Sequence, residues 1–96
     1  MSAVRSHRYS VPEADLEEFL ARRRSLIATV RKGHPGLTRT VLIRLDDDTY
    51  TDTWHWESAE QLGAALAALP TFPEAPLTMS LTKDATALNG RLVDEH

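Results

Sequence analysis

The segment from Leu37 to Trp56 constrains the fold more than any other. It reads LTRTVLIRL, then three aspartates, then TYTDTWHW. Both outer runs are dense in β-branched, aliphatic and aromatic residues, and Asp46 to Asp48 are of the kind that turns favour. The segment therefore reads as an antiparallel hairpin. A two-residue loop at Asp47 and Asp48 pairs Leu45 with Tyr50, Ile43 with Asp52, Val41 with Trp54 and Arg39 with Trp56. These side chains then share one mostly apolar face that belongs under helices, while Thr40, Leu42, Arg44, Thr51, Thr53 and His55 point away.

Helical patterns flank the hairpin. Ser10-Val-Pro-Glu13 has the form of a capping box, and Leu16, Phe19, Leu20, Ile27 and Val30 make one apolar stripe, which predicts a helix to about Arg31. Lys32-Gly33-His34-Pro35-Gly36 ends it, with glycine suited to a left-handed cap. Ser58-Ala59-Glu60-Gln61 is a second capping box, followed by Leu62, Ala65, Leu66 and Leu69 at helical spacing until Pro70. Ala3 to Ser10 reads as the first strand. After the proline-rich loop Thr71 to Pro76, alternation of Leu77, Met79 and Leu81 with polar residues predicts the last strand. The tail Lys83 to His96 adds at most a short strand at Arg91 to Val93. Strand, helix, strand, twice over, is the split βαβ order: an α+β fold with a four-stranded antiparallel sheet and two helices on one face.

Ninety-six residues, 42% of them hydrophobic, suffice for one small domain spanning residues 1–96, and so small a core favours dimerisation. The absence of cysteine excludes disulfides and thiol nucleophiles and makes the cytoplasm the default location. A net charge of -3 offers no field to attract nucleic acid. The basic residues Arg22 to Arg24, Arg31 and Lys32 follow Glu13, Asp15, Glu17 and Glu18 along one predicted helix, the distribution that complements a helix dipole. No apolar run reaches the roughly 18 residues of a membrane span, and the N-terminus lacks the apolar middle of a signal peptide.

The polar exceptions on the apolar face carry the functional question. Asp52 and Arg39 lie there by register, and Arg23 falls on the helix stripe between Leu20 and Ile27. Buried charges must be paired, solvated or kept at a rim, so these residues form either a structural ion pair or the polar part of a pocket between sheet and helices. Trp54, Trp56 and Tyr50 fill the core or present a flat surface to an aromatic ligand. His7 and Tyr9 share a face of the first strand, and parity leaves open whether that face is the pocket side. His34 belongs to a turn and His55 to the far face. The four histidines show no metal-ligand spacing, and no serine triad, phosphate-binding glycine loop or paired-carboxylate motif stands out.

PEADLEEFLARRR, HPGL, the acidic turn DDD and YTDTWHWES with its following Ala-rich helix together resemble the antibiotic biosynthesis monooxygenase family. The resemblance covers about Val4 to Leu81, and Trp56-Glu57-Ser58 is its sharpest element. It implies a ferredoxin-like subunit whose sheet backs onto a second copy, a homodimeric α+β barrel. It also implies oxidation of polycyclic phenolic anthrones by molecular oxygen, with no metal or flavin cofactor, in a pocket between sheet and helices. Family members carry a tryptophan at the Trp56 position and an asparagine four residues earlier, where this chain has Asp52. An asparagine donates to a developing enolate oxygen, whereas a carboxylate only accepts. Asp52 then works as a base, or the oxygenase chemistry is lost. A related haem-degrading branch requires an asparagine on strand one and a histidine ten residues beyond the tryptophan. This chain has Leu66 at that position and only Asn89 as asparagine, which disfavours haem degradation.

The leading expectation is therefore that Trp56 stacks the substrate ring, Asp52 or an adjacent histidine removes a proton, and Arg39 or Arg23 stabilises the enolate. Trp54, Tyr50, Tyr9 and His7 complete the small-molecule site. The rival expectation is a non-catalytic dimer that binds a small hydrophobic molecule or serves as a stress-related module. Isomerase or cyclase chemistry without oxygen uptake is a third.

Overall fold

Burial along one strand organises the molecule: Tyr50, Asp52, Trp54 and Trp56 are buried and alternate with half-buried Thr51, Thr53 and His55. The computed structural model, which describes residues 2–96, runs β1 (Ala3–Ser10), α1 (Leu16–Gly33), β2 (Leu37–Arg44), β3 (Tyr50–Trp56), α2 (Ala59–Ala68), α3 (Glu74–Met79) and β4 (Lys83–Arg91). Short 3-10 turns precede α1 and follow α2. All pairings are antiparallel and the strand order is β2-β3-β1-β4, the ferredoxin-like topology. Helices cover the face that carries Trp54 and Trp56. No helix among the described residues is long and apolar enough to cross a membrane.

The apolar core forms two clusters. The larger joins Leu26, Ile27 and Val30 of α1 to Leu37, Trp54, Trp56, Leu62 and Ala65. The smaller joins Tyr9, Val11, Phe19 and Tyr50, with Leu16, Leu20, Leu42 and Leu81 packed around them.

The hairpin register differs from the predicted one by a single residue. Leu45 N–H donates to the Thr49 carbonyl at 2.7 Å, which leaves three residues in the loop, and Asp48 takes φ 65°. That is the three-residue hairpin loop closed by a left-handed residue. Leu42 therefore pairs with Asp52, Thr40 with Trp54 and Arg39 with His55. The slip turns Arg39, Val41 and Ile43 to the outer face, because side chains alternate with period two. An irregularity between Leu37 and Arg39 then brings Leu37 back inside beside Trp56, where it is fully buried.

The fourth strand also differs. Leu77 to Met79 belong to α3, whose buried residues Ala75 and Thr78 are three apart, and a short apolar alternation fits either period. The last strand is Lys83–Arg91, longer and earlier than the predicted piece at Arg91 to Val93. Every residue in it is exposed, so it carries no burial pattern to read. At the start of α1, the Ser10–Glu13 capping box does not form: Ser10 ends β1, and Glu13 accepts from Arg44 at 2.8 Å. The helix runs on to Gly33, which does not take positive φ. The second cap does form, Ser58 Oγ accepting from Gln61 N–H at 3.2 Å.

Asp48 holds a conformation that branched side chains resist. Asp48→Val is expected to cost about 1–2 kcal/mol, read as a lower urea midpoint at unchanged slope. An unchanged midpoint would contradict the loop geometry.

Candidate functional site

Period-two alternation puts Asp52 and Trp54 on the same face of β3, and β1 pairs His7 opposite Asp52 and Arg5 opposite Trp54. One turn of sequence past Phe19 on α1, Arg23 points at the same place. Its guanidinium grips the Asp52 carboxylate with two hydrogen bonds, Nε to Oδ2 at 3.0 Å and Nη2 to Oδ1 at 2.8 Å. Tyr9 O–H donates to Oδ2 at 2.7 Å and Trp54 Nε1–H to Oδ1 at 3.0 Å. Each carboxylate oxygen thus accepts two bonds, and the four lone-pair positions are filled. The ion pair is nearly dry, with side chains 12% and 7% exposed.

Asp52 lies where the sequence places it, but it has no free lone pair with which to take a proton from a substrate. Burial and the adjacent negative charge of Asp52 push the Tyr9 phenol above its usual value, so it remains a donor.

His7 is the acid-base group left over. Its Nε2 accepts from Arg5 Nε at 3.2 Å and its Nδ1 lies 3.3 Å from the Asp52 backbone carbonyl. These partners select the neutral imidazole protonated on Nδ1. Burial, reinforced by the Arg5 charge, holds its pKa below the ordinary 6.5.

These groups form part of the wall of a cavity between sheet and helices. Its lining draws on both core clusters, with Phe19 and Tyr9 from the smaller and Val30, Trp54, Trp56 and Leu62 from the larger. The space, open mouth included, is about 660 Å³. Trp56 is 3% exposed, and its Nε1–H has no partner among the described residues.

Of the residues singled out from sequence, Asp52, Trp54, Trp56, Arg23, Tyr9 and His7 line this cavity. Arg39 does not: the register places it on the outer face opposite His55, exposed to solvent. Tyr50 stands beside the cavity without lining it. It stacks on Tyr9 with ring centroids 6.4 Å apart, under the Arg44 guanidinium at 5.6 Å. Sequence reasoning missed Arg5, whose two-residue spacing from His7 is the available signal, and the α3 residues Ala75, Thr78 and Met79, hidden by the strand assignment. No group of metal-binding side chains occurs among the described residues.

Arg23→Met leaves the Asp52 carboxylate buried without its counter-charge and is expected to cost about 3–5 kcal/mol. Combining it with Asp52→Leu should recover part of that loss in chemical denaturation; a combined variant no more stable than Arg23→Met contradicts the pairing. For His7, the folded chain binds fewer protons than the unfolded chain between its lowered pKa and 6.5. Stability therefore falls as pH drops below 6.5. His7→Gln should lose less stability over that window, and an equal loss would count against a half-buried neutral imidazole.

No protein-family model matches the sequence, and no curated protein is similar enough to match. Solved structures do match. A variant of SnoaB, a cofactor-independent oxygenase from Streptomyces nogalater, superposes with TM-score 0.73 at 23% identity, covering 99% of this chain and 94% of that one. A variant of MhuD with two manganese protoporphyrins bound per active site matches with TM-score 0.68 at 22% identity, covering 98% and 97%. A putative antibiotic biosynthesis monooxygenase from Nitrosomonas europaea matches with TM-score 0.70 at 11% identity, covering 96% and 90%. At these identities the likeness is one of fold: the chain is built on the ferredoxin-like subunit also found in antibiotic biosynthesis monooxygenases.

Proposed function

We propose that this chain binds a phenolic aromatic molecule between sheet and helices and oxidises it with molecular oxygen, working as a homodimer. The observation that carries the reading is a neutral, half-buried His7 in the wall of the same apolar cavity as Trp56, whose buried N–H has no partner among the described residues. The SnoaB likeness in fold supports it.

The chemistry needs a base and an oxyanion donor. His7 Nε2, released from Arg5 when the ring enters, takes a proton from an acidic CH₂ between aromatic rings. The resulting imidazolium keeps its Nδ1–H on the Asp52 carbonyl. Trp56 Nε1–H donates to the enolate oxygen that develops. The enolate gives its electron pair to oxygen, a C–O bond forms, and the peroxide collapses to a ketone as the second C–H proton leaves. One oxygen atom stays on carbon and the other departs as water, with the first proton returned from His7. Asp52 serves by fixing Arg23, Tyr9 and Trp54.

The homodimer would form through the outer sheet face, which no helix covers and which exposes Ile43 at 49% and Leu88 at 77%. A dimeric ferredoxin-like protein among the fold neighbours supports this assembly. Light scattering should give twice the chain mass, and exchange of Ile43 and Leu88 for Asp should halve it. A monomeric unmodified protein at micromolar concentration overturns the dimer.

Oxygen uptake with a simple anthrone, corrected for spontaneous oxidation, should show one oxygen consumed per substrate. His7→Gln should lower kcat by about 100-fold or more. Because the His7 pKa is lowered, activity should persist below pH 6.5 and decline only under more acid conditions. Unchanged kcat in His7→Gln removes the base assignment. Tight binding without oxygen uptake identifies a non-catalytic binding module, and product without uptake an isomerase or cyclase.

A further inference from the structure

Charge does not balance in the cavity wall. Asp52 and Arg23 neutralise each other, and the partners of His7 impose its neutral form. Arg5 remains. It lines the cavity, half-buried, with Nε on His7 and Nη1 on the Asn89 side-chain oxygen at 2.8 Å. Both partners are neutral acceptors, and among the described residues no carboxylate pairs with Arg5. A partly desolvated guanidinium loses hydration that neutral acceptors only partly replace, and an anion at the same place forms stronger, charge-assisted bonds.

The placement of this charge is built by the sheet. Arg5 and Asn89 are directly opposite in the β1–β4 register, so the edge strand fixes the guanidinium over the cavity. Beyond it, a groove lined by Asn89 and Arg91 shares Leu62 and Leu66 with the cavity. A ligand whose acidic end meets Arg5 can extend substituents into that groove without crowding the rings.

We propose that Arg5, positioned by Asn89, is an anion-binding residue that selects aromatic acids: flat ring systems bearing a carboxylate, with the ring against the tryptophans and the carboxylate on the guanidinium. This specificity rests on the cavity being an aromatic-binding site, not on its oxidation chemistry.

Calorimetric titration of the full chain with 2-naphthoate and its neutral counterpart 2-naphthamide tests it. The expected result is that the unmodified protein binds the carboxylate about tenfold more tightly or better. Arg5→Gln should abolish that preference, and Asn89→Ala should reduce it. Equal affinity for the two probes in the unmodified protein, which needs no variant, overturns the anion site and leaves the aromatic cavity standing. A preference that survives in Arg5→Gln does the same. Binding of neither probe overturns the anion site together with the aromatic reading it rests on.

Discussion

A carboxylate lies in the middle of a strand whose other inward side chains are aromatic, and the structure is arranged around satisfying it. Removing Asp52 from water without compensation is prohibitively costly, so its lone pairs must all be filled from within. Arg23 supplies the charge and two donors, Tyr9 a third donor and Trp54 a fourth. These requirements fix the rotation of α1 over the sheet, because the guanidinium meets the carboxylate in a planar fork. They also fix β1 against β3, since Tyr9 must reach across. The network stands where the two apolar clusters would otherwise merge, and the cavity occupies the same place.

Much of this was legible in the sequence. Alternation along Tyr50 to Trp56 identified the inward face of β3, and helical spacing placed Arg23 on the inward stripe of α1 without reference to the hairpin register. The physics of a buried charge required Asp52 to be paired, solvated or kept at a rim, without choosing between Arg23 and Arg39 as its partner. Arg39 was misplaced for one reason: three consecutive aspartates fit a two-residue or a three-residue loop equally well, and the choice inverts the side chains of β2 from Arg39 to Arg44. Only the packing of Leu42 against the smaller cluster, and of Leu37 beside Trp56, decides between them.

The edge strand failed to announce itself for a different reason. β4 is exposed along its whole length, so selection for burial leaves no hydrophobic period in it. Its contribution is polar: it carries Asn89 to Arg5. The apolar alternation that suggested a strand belongs instead to α3, whose residues close the cavity. Two-residue spacing from His7 puts Arg5 on the same face of β1, but that its partners are neutral shows only once β4 brings Asn89 to it.

The two tryptophans differ sharply in their surroundings. Trp54 is tied to the Asp52 carboxylate, whereas the buried Trp56 N–H, in a residue of the cavity wall, has no partner among the described residues. The protein has only these two tryptophans, so ¹⁵N–¹H NMR of the indole groups observes each separately. Titration with 2-naphthol should move the Trp56 indole resonance and leave that of Trp54 in place, slowly exchanging with solvent. A Trp54 resonance that shifts while Trp56 stays fixed, or a fast-exchanging Trp54 N–H, would contradict a carboxylate network that is rigid and a cavity that receives the ring.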